Sequence, residues 1–294
     1  MIDITTRLSR DPYLQVDYSI NNGLFYKGGV SYRISNNDLS IYHRGRLSYH
    51  LGVMRNALNL NFSEFYFGNV QLNLGAGFDY FDFFNLLGRS TNPALRGVED
   101  QLYINYMING VYDNLNNTYF PSSGQYFSFR YTLHTDNFIQ LQEDLPLSVL
   151  KMNFYKPLQL GHKTYLTPRI SARYVMNDSV PHIYRNFVGG RKDGHYLPQQ
   201  IALQGSAGME VLGNMVASVD AMLHHEFSPN NYLYFHLNYT CHHDHLHNLF
   251  EGDAYWGSNL GYSFLSIAGP LRLELGYSGL SRRFHPYVSF GYHF

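Results

Sequence analysis

The chain has 294 residues and a formal net charge of −1, so it lacks the positive charge through which many proteins bind nucleic acid. Tyrosine (27 residues) and phenylalanine (21) are abundant and only 15% of residues are charged, a composition that favours β structure over a soluble helical enzyme. The single cysteine, Cys241, excludes an internal disulfide and a multi-cysteine metal site.

Alternation of apolar and polar residues predicts β-strands along the whole chain, because successive side chains of a strand point to opposite faces. In residues 231–242, Leu233 and Phe235 fall on one face, and Tyr234 and His236 fall on the other. In chain order the predicted strands lie near residues 2–9, 12–20, 24–34, 38–49, 53–66, 68–82, 100–114, 122–135, 146–158, 162–176, 213–226, 231–242, 254–264, 269–279 and 285–294.

The connections between these strands alternate in length. Short turns at one rim and long loops at the other are typical of an outer-membrane barrel. Many predicted strands also exceed the usual length of about 5 to 6 residues and suit a tilted membrane crossing. The predicted short turns are residues 35–37, 160–162 and 228–230, and the predicted long loops are about 83–99, 136–145, 177–212 and 243–253.

These features predict an all-β fold, a transmembrane antiparallel β-barrel of about 16 strands that forms a single domain over residues 1–294. Fifteen strands are visible and an even number is expected, so one strand is overlooked or lies upstream of Met1. The sequence enters a strand pattern without an export signal, and we therefore expect a signal and further domains to precede it. A soluble β-sandwich also alternates and is the alternative fold.

Three motifs resemble the bacterial surface-antigen superfamily, the BamA/TamA-like barrels. The stretch FVGGRKDGHYLPQQI (187–201) is similar to the superfamily's sixth extracellular loop, and residues 212–223 are similar to the strand that follows it. A turn within 113–124 resembles a periplasmic turn of the superfamily, and GPLRLELGYS (269–278) resembles its penultimate strand. The likeness covers at least residues 100–294 and looks closest to barrels fused behind a patatin-like phospholipase domain in Bacteroidetes.

The resemblance implies a set of site residues. In the superfamily an arginine of a V-R-G-[FY] motif reaches into the lumen, whereas this chain has Val188-Gly189-Gly190, so the tether is absent or is transferred to Arg191. Loop 177–212 is expected to fold towards the lumen as a plug. The implied residues are Val188, Gly189, Gly190, Arg191, Tyr196, Gln199 and Gln200 of the loop motif, and Asp113, Phe120, Pro121 and Gly124 of the periplasmic turn. The strand alternation adds Asp220, Glu226, Arg272 and Glu274 as lumen wall partners, and Tyr292 and Phe294 of the last strand as the C-terminal signal.

The resemblance also implies a role without catalysis of its own. Such a barrel would anchor or translocate a lipolytic or passenger domain, with membrane lipids, lipopolysaccharide and the barrel-assembly machinery as partners, and it would be a monomer without a cofactor. No G-x-S-x-G nucleophile motif occurs in the chain. Two alternatives are a passive porin for small solutes and a barrel hydrolase with rim His, Asp and Glu residues, for which the candidates are Asp220, His224, Glu226, His236, His242 and Glu274.

The run CHHDHLH at 241–247 raises the question of a metal site. Residues two apart share a face of a strand, so His243, His245 and His247 could converge on zinc, copper or nickel. A dedicated site would also need a fixed fourth ligand and supporting hydrogen bonds, and the sequence offers neither. The run is therefore interpreted as a polar, solvated loop mouth, and no metal is predicted.

Overall fold

The computed structural model describes residues 2–7, 13–21, 27–43, 46–84, 101–135, 146–177, 180, 184–194, 197–206, 208–211 and 213–291. These residues form the mainly antiparallel wall of a β-barrel, in which the first and last described strands do not pair with each other. This architecture confirms the predicted fold class. Among the described residues, no helix has the length and apolar character required to cross a membrane. The strands are β1 (Ile2–Arg7), β2 (Tyr13–Asn21), β3 (Lys27–His43), β4 (Arg46–Phe67), β5 (Val70–Phe84), β6 (Gln101–Asp113), β7 (Tyr126–Thr135), β8 (Leu147–Tyr155), β9 (Leu158–Gly161), β10 (Thr164–Met176), β11 (Phe187–Gly189), β12 (Gln200–Ile201), β13 (Met209–Val211), β14 (Met215–Ser228), β15 (Asn231–His243), β16 (Ala254–Ser266), β17 (Gly269–Ser278) and β18 (Phe284–Phe290).

The wall is a meander in which each strand pairs antiparallel with the next. The pairing runs from β1 to β8, passes to β10, skips to β14 and continues to β18. Strand β9 continues the wall position of β8 beyond Pro157, and both pair with β10. Within the described residues the wall therefore has fourteen strand positions, and β18 has a backbone partner only in β17.

One predicted turn is wrong. Residues 35–37 lie inside the 17-residue strand β3 and pair with β4 without interruption, from Ser35 opposite Arg55 to Asn37 opposite Val53. The three strands predicted near 24–34, 38–49 and 53–66 are two long strands, β3 and β4, which lowers the count by one. The predicted short turns near 160–162 and 228–230 are confirmed to within two residues, since β9 and β10 are joined by residues 162–163, and β14 and β15 by residues 229–230.

The two faces of the wall differ in polarity. On β15 the outward side chains are apolar and exposed, with Leu233 51% and Leu237 46% accessible. The inward side chains Asn238 and Thr240 are buried and bond Ser218 of β14 at 2.7 Å and 3.0 Å. Because strand side chains alternate with a period of two, this register separates an apolar outer surface from a polar, hydrogen-bonded lumen.

Candidate functional site

The segment between β10 and β14, residues 177–212, is named here the plug loop, and its described part carries β11, β12 and β13. Strand β11 pairs parallel with β12 and antiparallel with β13. Strand β13 in turn pairs parallel with β3, with Met209 opposite Ile41 and Glu210 opposite Tyr42. Because β2 pairs with β3 only as far as Ser35, the plug loop covers an edge of β3 that β2 leaves unpaired.

The other side of the plug loop packs against the end of the sheet. Gly205 lies against the backbone of Tyr277 in β17, and the Gln204 backbone lies against Gly257 in β16. A Cβ atom on either glycine would clash with the backbone it faces. The Tyr255 hydroxyl of β16 donates a hydrogen bond to Glu210 at 2.9 Å. The plug loop thus contacts both the early strands and the late strands of the barrel, on either side of the seam between β1 and β18.

Arg191 of the plug loop forms an ion pair with the wall. Its guanidinium forms an ion pair with Glu274 of β17 and lies 3.4 Å from the centre of the Tyr287 ring of β18. Tyr234 of β15 donates a hydrogen bond to the same carboxylate. Burial lowers the pKa of Arg191, and Tyr287 opposes that shift. An arginine pKa starts so high that the side chain remains a cation.

The rest of the loop motif forms the inside of the plug. The Gln200 side chain donates to the Gly189 carbonyl at 2.8 Å, and Leu203 N–H donates to the Gly190 carbonyl at 3.0 Å. Val188 and Gln200 are fully buried. Gln199 is buried as well, and its carbonyl accepts a hydrogen bond from the backbone N–H of the first residue of β11. Tyr196, which the sequence placed in the same motif, lies outside the described residues.

A second contact joins the start of the plug loop to β10. The Arg173 guanidinium donates to the Tyr184 carbonyl at 3.1 Å and to the Asn186 side-chain oxygen at 2.6 Å. The Tyr184 ring packs edge-on against Tyr103 of β6 and lies 4.3 Å from the His134 ring of β7. Burial raises the pKa of Tyr184 well above its ordinary value. The loop therefore also contacts the middle of the wall, far from the seam.

The remaining expected wall partners bind elsewhere. Asp220 lies 2.9 Å from the His236 ring nitrogen of β15, and Glu226 accepts a hydrogen bond from the backbone of Asn230 in its own turn. Arg272 stacks against residues of the turn between β6 and β7. Of the four acidic and basic wall residues named from the sequence, all of them described, Glu274 is the one that forms an ion pair with Arg191.

The turn between β6 and β7, residues 114–125, folds back against the inner wall at the opposite rim. Phe120 is buried and stacks on Tyr232 of β15 at 4.3 Å, and Arg272 lies 5.8 Å from its ring. Pro121 is buried beside it. Gly124 has a φ of +91°, and a Cβ there would lie 2.2 Å from the Asn114 carbonyl oxygen, so the turn requires glycine.

Sequence reasoning missed the asparagines that shape this turn. Asp113 accepts a hydrogen bond from Leu115 N–H at 3.0 Å, as the end of β6 turns away. Asn116 accepts from the N–H groups of Ser122 and Ser123, and Asn117 accepts from those of Tyr119 and Phe120. The signal was present in the sequence, because asparagine side chains bond nearby backbone and stabilise turns.

The histidine run lies at the rim beside the plug loop. The rings of His243 and His245 are 5.9 Å apart, and those of His245 and His247 are 5.6 Å apart. The His243 ring accepts a hydrogen bond from His245 N–H, which fixes its orientation. Throughout the described ranges, no three His, Cys, Asp or Glu residues are placed to hold a metal ion. Tyr292 and Phe294, the expected C-terminal signal, lie outside these ranges.

The glycine at the start of the plug motif gives a direct test of plug packing. Gly189 has a φ of +137°, and a Cβ there would lie 1.9 Å from the Gly208 carbonyl oxygen. Gly189→Ala is therefore expected to weaken docking of the plug by about 2 kcal/mol or more. The measurement is the rate of protease cleavage within residues 187–211. Gly161→Ala is the control, since nothing lies within 4 Å of its added Cβ, and equal rates for both variants would contradict the packing.

Comparison with known proteins gives one family and one fold. A family model described as the OMP85 superfamily matches residues 13–294. The solved structure of BamA from Haemophilus ducreyi, lacking POTRA domains 1–3, is similar with a TM-score of 0.66 at 14% identity, over 98% of this chain and 61% of that chain. The Escherichia coli capsule-assembly protein Wzi, a carbohydrate-binding β-barrel, has a TM-score of 0.32 at 10% identity, over 95% of this chain and 76% of that chain. No curated protein matches the sequence.

The family match confirms the predicted superfamily-level resemblance and the bacterial outer-membrane location. At 14% identity, the BamA structure supports the fold alone. This chain spans about three fifths of the length of that BamA chain, at 61%.

Proposed function

Because this chain belongs to the OMP85 superfamily, we propose that it is the membrane module of a larger outer-membrane protein and that it anchors or translocates an associated passenger domain. The observation that carries the proposal is the plug loop, which bonds to β3 on one side of the seam and to β16 and β17 on the other. A lumen crossed by a bonded loop is poorly suited to free diffusion of solutes. The porin alternative is therefore the weaker one.

The passenger is proposed to be lipolytic and patatin-like. Support comes from the sequence of the plug motif, FVGGRKDGHYLPQQI, which resembles barrels fused to patatin-like domains. The barrel itself contributes no catalytic serine motif. The chemistry would thus belong to the passenger, and the barrel would set its location at the membrane.

The test uses the natural gene product that contains these residues. Removing residues 1–294 of this chain is expected to shift esterase activity from the outer-membrane fraction to the soluble periplasmic fraction, because the lipid-facing wall is the anchor. Total activity, measured with a soluble ester, should change little. Absence of esterase activity in the intact gene product would exclude the lipolytic passenger. Activity that stays in the outer membrane after the truncation would exclude the anchoring role.

A further inference from the structure

Three cations form a row across adjacent wall strands. Arg130 of β7 pairs directly with Lys151 of β8, and Lys151 pairs directly with Arg173 of β10. All three alternate with outward side chains such as Met152, which is 40% exposed on the outer face, and therefore point into the lumen. Neighbouring strands lie about 4.8 Å apart, so the three side chains start within about 10 Å of one another.

The row has no carboxylate bound to it among the described residues. Within the described ranges, Arg173 donates only to neutral oxygens, those of Tyr184 and Asn186. Arg130 and Lys151 form no hydrogen bond or ion pair with any described residue. Asp193 of the plug loop attracts Lys151 electrostatically, but its Oδ1 accepts a hydrogen bond from the Ala202 backbone at 2.7 Å.

Other lumen arginines show what a paired cation looks like in this barrel. Arg55 of β4 binds Asp79 of β5 at 2.9 Å through Nε, and Arg191 binds Glu274. Like charges placed directly opposite on neighbouring strands destabilise a sheet. The free-energy cost of this repulsion is larger for buried charges, and Arg173 is only 5% exposed beneath the plug loop. Arg130 remains exposed and Lys151 half-buried, so the row is open to the lumen.

We propose that this row binds a phosphate group in the lumen, between the plug loop and the turn at residues 114–125. Arginine matches tetrahedral oxyanions with two parallel N–H donors, and lysine adds a third positive charge. A phosphate dianion neutralises most of the repulsion between the three side chains. Chloride carries a single charge and has no separate oxygen atoms to accept paired N–H donors. The phosphate can be a free ion or part of an ester. The inference does not depend on the identity of the passenger.

The experiment is calorimetric titration of the folded barrel in detergent, at constant ionic strength set with sodium chloride. The probes are inorganic phosphate and glycerol phosphate. Lys151→Gln and Arg130→Gln are each expected to weaken phosphate binding at least about tenfold, through loss of a charge-assisted contact. Arg173 is left unchanged because it also holds the plug loop.

Lys156→Gln is the matched control, because Lys156 is exposed at the bend between β8 and β9 and outside the row; its affinity should stay within about twofold of wild type. Heat-dependent mobility on gels reports whether each variant folds. Tighter binding of glycerol phosphate would indicate an ester as the ligand, and equal binding would indicate the free ion. No heat from either probe, or the same loss in the control as in the row variants, would overturn the proposal.

Discussion

Deleting residues 188–200 is expected to turn a small or flickering current across planar bilayers into a large, steady one. The deletion removes most of β11, Arg191 and the first residue of β12. Without β11, strand β13 loses its antiparallel partner, and the covered edge of β3 is exposed again. The largest change in conductance is expected here because the deletion removes the Arg191 bond to β17 and also the strand that supports β13 in its pairing with β3.

A second variant tests whether the plug loop blocks the lumen by its bulk or by its specific contacts with the wall. Replacing residues 188–200 with an equally long glycine and serine segment keeps the chain length and removes the specific contacts. A flexible segment is expected to block the lumen only intermittently, so this variant should give large currents with frequent closures. A large, steady current in the unmodified protein would show an open porin and would refute the plugged-barrel interpretation.

The error in strand counting has a physical explanation. Ser35, Asn36 and Asn37 are residues that favour turns, and in a soluble sheet such a cluster would end a strand. Here Ser35 and Asn37 are buried, with 5% and 4% exposure, and Asn36 between them is exposed. The period of two continues through the cluster, but the inward positions of this barrel are polar. Polarity alone therefore could not distinguish a turn from a lumen-facing stretch of strand.

Side-chain partners across the lumen were less predictable than strands. The resemblance to a family motif left open whether an arginine tether was lost or transferred to Arg191, and only the fold shows that its partners are Glu274 and Tyr287. These residues lie more than 80 positions away in the sequence. The pairing of inward side chains across the lumen depends on the register of every intervening strand and on the path of the plug loop. The local sequence pattern specifies neither the register nor the path.

The contact between Arg191 and Glu274 is expected to be the strongest single side-chain attachment of the plug loop. The Glu274 side chain is 7% exposed and that of Arg191 is 29% exposed. Arg191→Met leaves a buried carboxylate whose other described partner is the Tyr234 hydroxyl. Loss of one member of a buried ion pair costs about 3 to 5 kcal/mol, and the partial exposure of Arg191 places the expected loss near about 2 to 3 kcal/mol.

Adding Glu274→Gln to Arg191→Met should recover more than half of that loss, because a neutral amide can be buried at lower cost than an unpaired carboxylate. Hydrogen exchange at the Leu203 amide, which bonds the Gly190 carbonyl inside the plug, reports the free energy of plug opening. Lys192→Met is the matched control, since it removes the same charge from the next, exposed residue, and it should change that free energy by less than about 0.5 kcal/mol.

If the plug of the double variant opened as readily as that of Arg191→Met alone, the unpaired Glu274 carboxylate would not be the cause of the lost stability. If Arg191→Met behaved like Lys192→Met, the plug would be held by its backbone pairing with β3 and by packing at Gly205, and the ion pair would contribute nothing to closure.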